Sequence, residues 1–162
     1  MIRAAHIQDI VDITHIYNAG IKSGLGTFET RLREEKEIQG WLDASVQFPI
    51  LVAEHEGKCV GFARLFEYRA RDCYAGIAEF SIYLDQQYQG LGIGTKLLKA
   101  LIRSAEQSGK HKLISRIFTF NSASRALCKK SGFREVGVYQ RHGKLNDQWL
   151  DVVIVEYLIA AN

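Results

Sequence analysis

Apolar residues recur along this chain with two periods, and the order in which those periods appear outlines a fold. Residues 9–17 place Ile10, Ile13, Ile16 and Tyr17 at helical spacing, and residues 34–43 repeat the pattern with Ile38, Trp41 and Leu42 on one face. Between them, residues 20–30 hold Gly20, Gly24 and Gly26 and read as a loop ending in Thr27-Phe28-Glu29-Thr30. Residues 1–4 read as a short first strand. Residues 50–54 and 59–66 flank Glu56-Gly57-Lys58, which predicts a hairpin with a tight turn. Residues 78–84 predict another strand and 89–94 a glycine-rich turn. Residues 95–108 predict an amphipathic helix through Leu97, Leu98, Leu101, Ile102 and Ala105, stopped by Gly109. Residues 113–118 are apolar enough for a buried strand. Asn121 and Ser122 can cap a helix that runs to Lys130 and ends at Gly132. Residues 136–140 and 149–158 predict two last strands, with Gly143 in the turn between them. Antiparallel strands, then one β-α-β unit, then a helix and hairpin make an α+β or mixed α/β class.

Composition narrows the picture. The 162 residues hold no repeat or linker, and Pro49 is the only proline, so one domain over residues 1–162 is expected. With 47% apolar and 24% charged residues, the chain falls outside the disordered class. No apolar run is long enough to span a bilayer. The opening Met1-Ile2-Arg3-Ala4 lacks the apolar stretch of a signal peptide, so no membrane partner and a cytoplasmic location are expected. Cys59, Cys73 and Cys128 form no C-x-x-C pair, and free thiols fit a reducing compartment. The net charge of +3 comes from Lys and Arg scattered among acids, which argues against nucleic acid as a partner. A weak positive field still favours an anionic cofactor. No histidine pair stands at metal-ligand spacing, so no metal is expected.

The chemistry concentrates in Gln89-Gly90-Leu91-Gly92-Ile93-Gly94-Thr95, which follows a strand and opens a helix. Glycines let a backbone approach an anion, and the first turn of a helix offers unpaired N–H groups with partial positive charge. A phosphate or pyrophosphate is the natural ligand there. The Walker pattern G-x-x-x-x-G-K-[ST] is missing from the chain. The dinucleotide fingerprint fails as well. Thr95 stands where its third glycine belongs, and Lys110-His111-Lys112 stands where an acid would hold a ribose.

The spacing Gln-x-x-Gly-x-Gly at Gln89, Gly92 and Gly94 resembles the acetyl-CoA pyrophosphate loop of the GNAT superfamily of N-acetyltransferases. Upstream, Ala78-Glu79-Phe80-Ser81-Ile82-Tyr83-Leu84-Asp85 looks like that family's central strand. Downstream, the segment from Asn121 to Lys130-Ser131-Gly132-Phe133 looks like its N-x-x-[AS]…K-x-G-F helix and turn. The resemblance covers nearly the whole chain. Thr27-Phe28-Glu29-Thr30, Ala78-Glu79-x-Ser81-Ile82-Tyr83 and Lys144…Trp149-x-Asp151 are similar to the phosphinothricin and methionine-sulfoximine acetyltransferase branch.

This resemblance implies a mixed, mostly antiparallel sheet flanked by helices, with two splayed parallel strands at residues 78–84 and 113–118. It implies acetyl-CoA as co-substrate and the amine of a small molecule, such as an amino-acid analogue, as acceptor. Backbone groups of Ile82, Tyr83 and Leu84 would run along the pantetheine, and Gly90, Leu91, Gly92, Ile93, Gly94 and Thr95 would wrap the pyrophosphate. Asn121 would reach the pantetheine, or only cap its helix. Lys130 would meet a phosphate, or only water. Glu79 is the candidate base acting through water; the alternatives are an ammonium-binding group or a surface carboxylate. The N–H near Ile82 would polarise the thioester oxygen. Cys128 stands where many relatives carry Tyr and the branch often carries His; it is either a general acid or an inert core thiol. Tyr83 and Tyr139 are substitutes for that acid. Phe28 and Glu29 would form one acceptor wall. Arg69, Arg71 and Tyr74 would bind an acidic tail, unless they form a solvated loop. Lys144, Trp149 and Asp151 would form the opposite wall or simply the last hairpin. A homodimer follows by analogy with relatives. The competing functions are acetylation of a peptide amine and a non-catalytic acyl-CoA sensor.

Overall fold

The computed structural model describes residues 1–159. It contains β1 (Ile2–Ala4), α1 (Ile10–Ser23), α2 (Glu35–Asp43), β2 (Ile50–His55), β3 (Lys58–Glu67), β4 (Ile77–Leu84) and α3 (Ile93–Gln107). After these come β5 (Lys112–Phe118), α4 (Ser122–Lys130), β6 (Arg134–Leu145) and β7 (Gln148–Leu158). The strands make one seven-stranded sheet in the order β1-β2-β3-β4-β5-β7-β6. Every neighbouring pair is antiparallel except β4 with β5. This is the mixed, mostly antiparallel α+β sheet expected from the sequence. No helix among the described residues is long and apolar enough to cross a membrane.

Helices cover both faces of the sheet. α3 forms because Leu97, Leu98, Leu101 and Ala105 recur every three or four residues, and all four are fully buried. Buried leucines of this kind each contribute roughly 1.5–3 kcal/mol. They join Val60, Ala63, Leu65, Phe80, Leu113, Val153 and Phe133 in the main core, with α4 beside them. On the other face, α1 and α2 bury Ile13, Ile16, Tyr17 and Ile38 against Val52 and Phe62. A third, smaller cluster of Phe118, Leu145 and Val152 is closed by Phe28.

Two expectations need correction. The loop foreseen at residues 20–30 begins later, because α1 continues to Ser23 and stops at Gly24, whose φ is +68°. Gly20 stays helical because its bare backbone makes room for a ring: a Cβ there would lie 2.8 Å from Tyr83. The turn between the last strands is also not at Gly143. β6 runs through to Leu145, and Asn146 and Asp147 make the turn with φ of +49° and +63°. Two central residues with positive φ match the right-handed twist of the flanking strands. Gly143 instead faces Phe28, whose ring would be 2.9 Å from a Cβ. Both glycines leave gaps for aromatic rings and reverse no chain direction.

Asp9 fixes the entry to α1. It is 5% exposed, and its carboxylate accepts from Arg3 Nη1 at 2.7 Å, Arg3 Nη2 at 2.9 Å and the His6 N–H at 2.7 Å. Burial by itself raises its pKa, but the hydrogen bonds from Arg3 and His6 outweigh burial and hold the carboxyl below its ordinary value. The stability it contributes is therefore present above the ordinary Asp range and lost as pH falls through the lowered value. Asp9→Asn should lose about 1–3 kcal/mol at neutral pH. The Tm gap from wild type, followed by thermal melts across pH, should begin to narrow below about pH 4 and close once pH passes the lowered value.

Candidate active site

The site begins where a ladder stops. β4 and β5 pair only at Ile77 with Lys112, Ala78 with Leu113 and Glu79 with Ile114. Beyond that point β4 stays on β3 as far as Leu84, and β5 stays on β7 as far as Phe118. The two strands thus diverge into a cleft. The Phe80 carbonyl faces it and accepts from Ser115 Oγ at 3.1 Å, while the Asp85 N–H faces the other way and donates to Val60. Alternation along a strand then aims the N–H and C=O of Ile82 and Leu84 into the cleft, with no strand beside them. These are the backbone groups expected to line a pantetheine. The Ile82 and Leu84 side chains pack on the main core. Tyr83 points to the opposite face, edge-on to Tyr17 at 5.1 Å and stacked on Phe62 at 5.5 Å. Burial pushes its phenol well above its ordinary pKa.

At the end of the cleft lies the glycine-rich turn. Gly90 and Gly92 have φ of +77° and +81°, and Gly92 caps α3 with no side-chain cap of its own. The first intrahelical bond runs from the Lys96 N–H to the Gly92 carbonyl at 3.3 Å. The N–H groups of Ile93, Gly94 and Thr95 are therefore free, and Leu91 beside them is 66% exposed. Free donors, positive partial charge and open access suit an anion.

Glu79 is the last β4 residue with a β5 partner, so its carboxylate stands at the apex of the cleft. It is 7% exposed, and Arg116 Nη2 donates to both of its oxygens at 3.1 Å. The surface alternative for Glu79 is therefore excluded. A carboxylate has about four lone-pair sites, so one guanidinium nitrogen leaves room for an ammonium or a water. Arg116 was missed in the sequence. The available signal was a charged residue inside an otherwise apolar strand, two positions after Ile114 and hence on its face.

The remaining candidates divide between the cleft's surroundings and the periphery. Phe28 stands edge-on to Phe118 at 4.7 Å, on the β5 face that also carries Arg116. Glu29 pairs with Arg33 at 2.8 Å and lines a shallow groove with Leu145 and Asn146 of the last hairpin. Arg69 and Arg71 are exposed in the loop before β4, where Arg69 lies 6.0 Å from the Tyr74 ring. Asn121 caps α4 by accepting from the Ser124 N–H at 3.1 Å, and its amide donates to the Leu25 carbonyl at 3.3 Å. Lys130 is exposed at the end of α4. Cys128 is the buried residue of α4, at 2% exposure, and burial pushes its thiol up to about 12. Tyr139 is exposed on β6. Asp151 holds a bulge in β6 by accepting from the Arg141 N–H at 2.7 Å, and Lys144 lies 5.1 Å from the Trp149 ring. No cluster of three metal-ligating side chains occurs among the described residues.

Comparison with known proteins places this geometry. The sequence pattern of the acetyltransferase (GNAT) family matches residues 13–133. An L-methionine sulfoximine/L-methionine sulfone acetyltransferase of Salmonella typhimurium is 31% identical over 157 residues, covering 96% of this chain and 92% of that protein. A phosphinothricin N-acetyltransferase of Alcaligenes faecalis is 32% identical over 160 residues, covering 96% of this chain and 80% of that protein. Among solved structures, yncA of Salmonella typhimurium, determined with its cofactor acetyl-CoA, superposes with a TM-score of 0.96. It is 29% identical, and the match covers 100% of this chain and 95% of that one. The chain belongs to the GNAT family of acetyltransferases.

Proposed function

We propose that the protein transfers the acetyl group of acetyl-CoA to the primary amine of a small amino-acid-like molecule. L-methionine sulfoximine, L-methionine sulfone and phosphinothricin are the first candidates. The observation that carries this reading is the parting of β4 from β5 at Glu79, with the free amides of Ile82 and Leu84 on one side and a buried carboxylate at the apex. The relatives named for those three acceptors support the choice of acceptor.

Acetyl-CoA supplies the acyl group as a thioester. The backbone of Gly90, Leu91 and Gly92 and the free N–H groups of Ile93, Gly94 and Thr95 wrap its pyrophosphate, and Lys130 meets a phosphate. Ile82, Tyr83 and Leu84 offer backbone partners along the pantetheine, and Asn121 borders it from the head of α4. The Ile82 N–H polarises the carbonyl that is attacked. The α-amine of a free amino acid, beside its own carboxylate, is more basic than a chain terminus at about 8, so only a small minority is unprotonated and reactive near neutral pH. Glu79, oriented by Arg116, removes the surplus proton through water. Phe28 and Glu29 wall the acceptor, and Arg69, Arg71 and Tyr74 border its entrance. Cys128 keeps its proton at a pKa of about 12, several units above a free thiol. It can donate a hydrogen bond to the departing sulfur but is poorly matched to deliver a proton.

A second copy of the chain pairs along β6 in this reading. β6 ends the sheet, and its residues from Arg134 to Gln140 are all exposed, with Val136, Val138 and Tyr139 among them. An open apolar edge of that length invites a strand.

Four outcomes are expected. CoA release from acetyl-CoA should be detected with at least one of the three amino acids. Gly92→Asp should weaken acetyl-CoA binding at least about tenfold by calorimetry, through strain at positive φ and charge repulsion. Binding without turnover on any amine would replace the enzyme by a sensor, and turnover on peptide amines alone would replace the acceptor class. Next, Glu79→Gln should lower kcat by about 10²-fold or more with the KM for acetyl-CoA unchanged; an unchanged kcat removes the base role. Finally, light scattering should give the mass of a dimer, and Val138→Glu should shift it to a monomer. A wild-type monomer at micromolar concentration rules the pairing out.

A further inference from the structure

One half-buried cation plays no part in the chemistry above. Arg64 lies in β3, where the register pairs it with Ser81 of β4. Cross-strand partners share a face, so Arg64 lies on the face that carries Glu79 and Tyr83. Its guanidinium carbon is 3.7 Å from the centre of the Trp41 ring and 4.8 Å from that of Phe66. Nε is enclosed and has no hydrogen-bond partner. The ionisable groups that act on it are Tyr17, Tyr83 and Arg33, none of them a carboxylate. Burial pushes its pKa below the ordinary arginine value.

A guanidinium stays protonated in a protein, and a buried cation without a counter-charge is costly. Two aromatic faces offset part of that cost and fix the plane of the group. They cover faces only. Arg64 is only partly buried, and the Nη1–Nη2 edge of a guanidinium is the part that grips a carboxylate bidentately. Arg64 and Glu79 are diagonal neighbours across the β3–β4 ladder, their backbone positions about 7–8 Å apart along the sheet. A cation and an anion on one face of the sheet suit the two ends of a zwitterion.

We propose that Arg64 is the carboxylate subsite of the acceptor pocket. It binds the α-carboxylate of an amino acid whose amine lies at Glu79. This rests on the acetyl-transfer reading and adds a requirement to it: an amine without a carboxylate leaves the guanidinium unpaired. The exposed Arg69 and Arg71 then border the entrance and are not the primary anchor.

The test compares wild type, Arg64→Met and Arg64→Lys. Each is titrated with L-methionine sulfone in the presence of CoA by calorimetry. Each is also assayed for CoA release with that amino acid and with its decarboxylated counterpart, 3-(methylsulfonyl)propylamine. Arg64→Met should weaken binding and raise KM for the amino acid by about 10–100-fold, the loss of a charge-assisted pair. Its kcat/KM for the decarboxylated amine should stay within about threefold of wild type, and its Tm should not fall, because the cation serves binding at some expense of stability. Arg64→Lys keeps the charge without the fork and should be intermediate. Equal losses on both amines, no loss on the amino acid, or a lowered Tm with discrimination unchanged would overturn the subsite and make Arg64 a packing residue of Trp41. Arg64-dependent binding without CoA release would keep the subsite and remove the transfer reading. Turnover that ignores Arg64 would do the reverse. No binding of the amino acid to wild type would overturn the subsite outright.

Discussion

β4 and β5 part after three paired residues, and the functional half of the molecule is organised around that parting. Unpaired backbone N–H and C=O groups inside a sheet are costly unless something else satisfies them. The parting survives because each strand is held from its far side, β4 by β3 to Leu84 and β5 by β7 to Phe118. α3 connects the two strands, and its leucines dock on the sheet. That docking sets the free amides of its first turn at the end of β4. An extended, amide-bearing ligand with an anionic diphosphate fits a cleft with strand edges along it and a helix terminus at its end.

The two faces of the sheet carry different burdens. The face under α3 and α4 is a dry core, and Cys128 belongs to it. The face under α1 and α2 combines aromatic rings with charges: Tyr17, Trp41, Phe62 and Tyr83 pack together, while Glu79, Arg116 and Arg64 are set among or beside them. Charges placed against rings are expensive in folding and selective in recognition, because a polar group without its partner is penalised on binding. Glu79 has its partner within the fold. Arg64 has none among the described residues, and this difference marks it for a ligand.

Much of the site was legible in the sequence because its parts are local. The turn at residues 89–95 is a contiguous run of glycines before a helix, and Asn121 is a cap that its own helix requires. Arg116 and Arg64 were not legible as site residues. Each becomes meaningful through a register: Arg116 through the pairing of Glu79 with Ile114, and Arg64 through its pairing with Ser81. Register depends on which strands meet, and no stretch of one strand contains that information. Gly20 and Gly143 failed for a related reason. A glycine that opens a turn and one that makes room for a distant ring look alike in a sequence.

The order of periods along the chain determined the helices, most of the strands and the α+β class, and the run of glycines determined the turn before α3, since each follows from neighbours a few residues apart. Only the tertiary structure decided that β4 leaves β5 at Glu79, that Arg116 holds this carboxylate, that burial raises the pKa of the Cys128 thiol and that Arg64 is left without an anion. Those four facts arise where segments distant in the sequence come together, and their energies come from desolvation and pairing that exist only once the chain is packed.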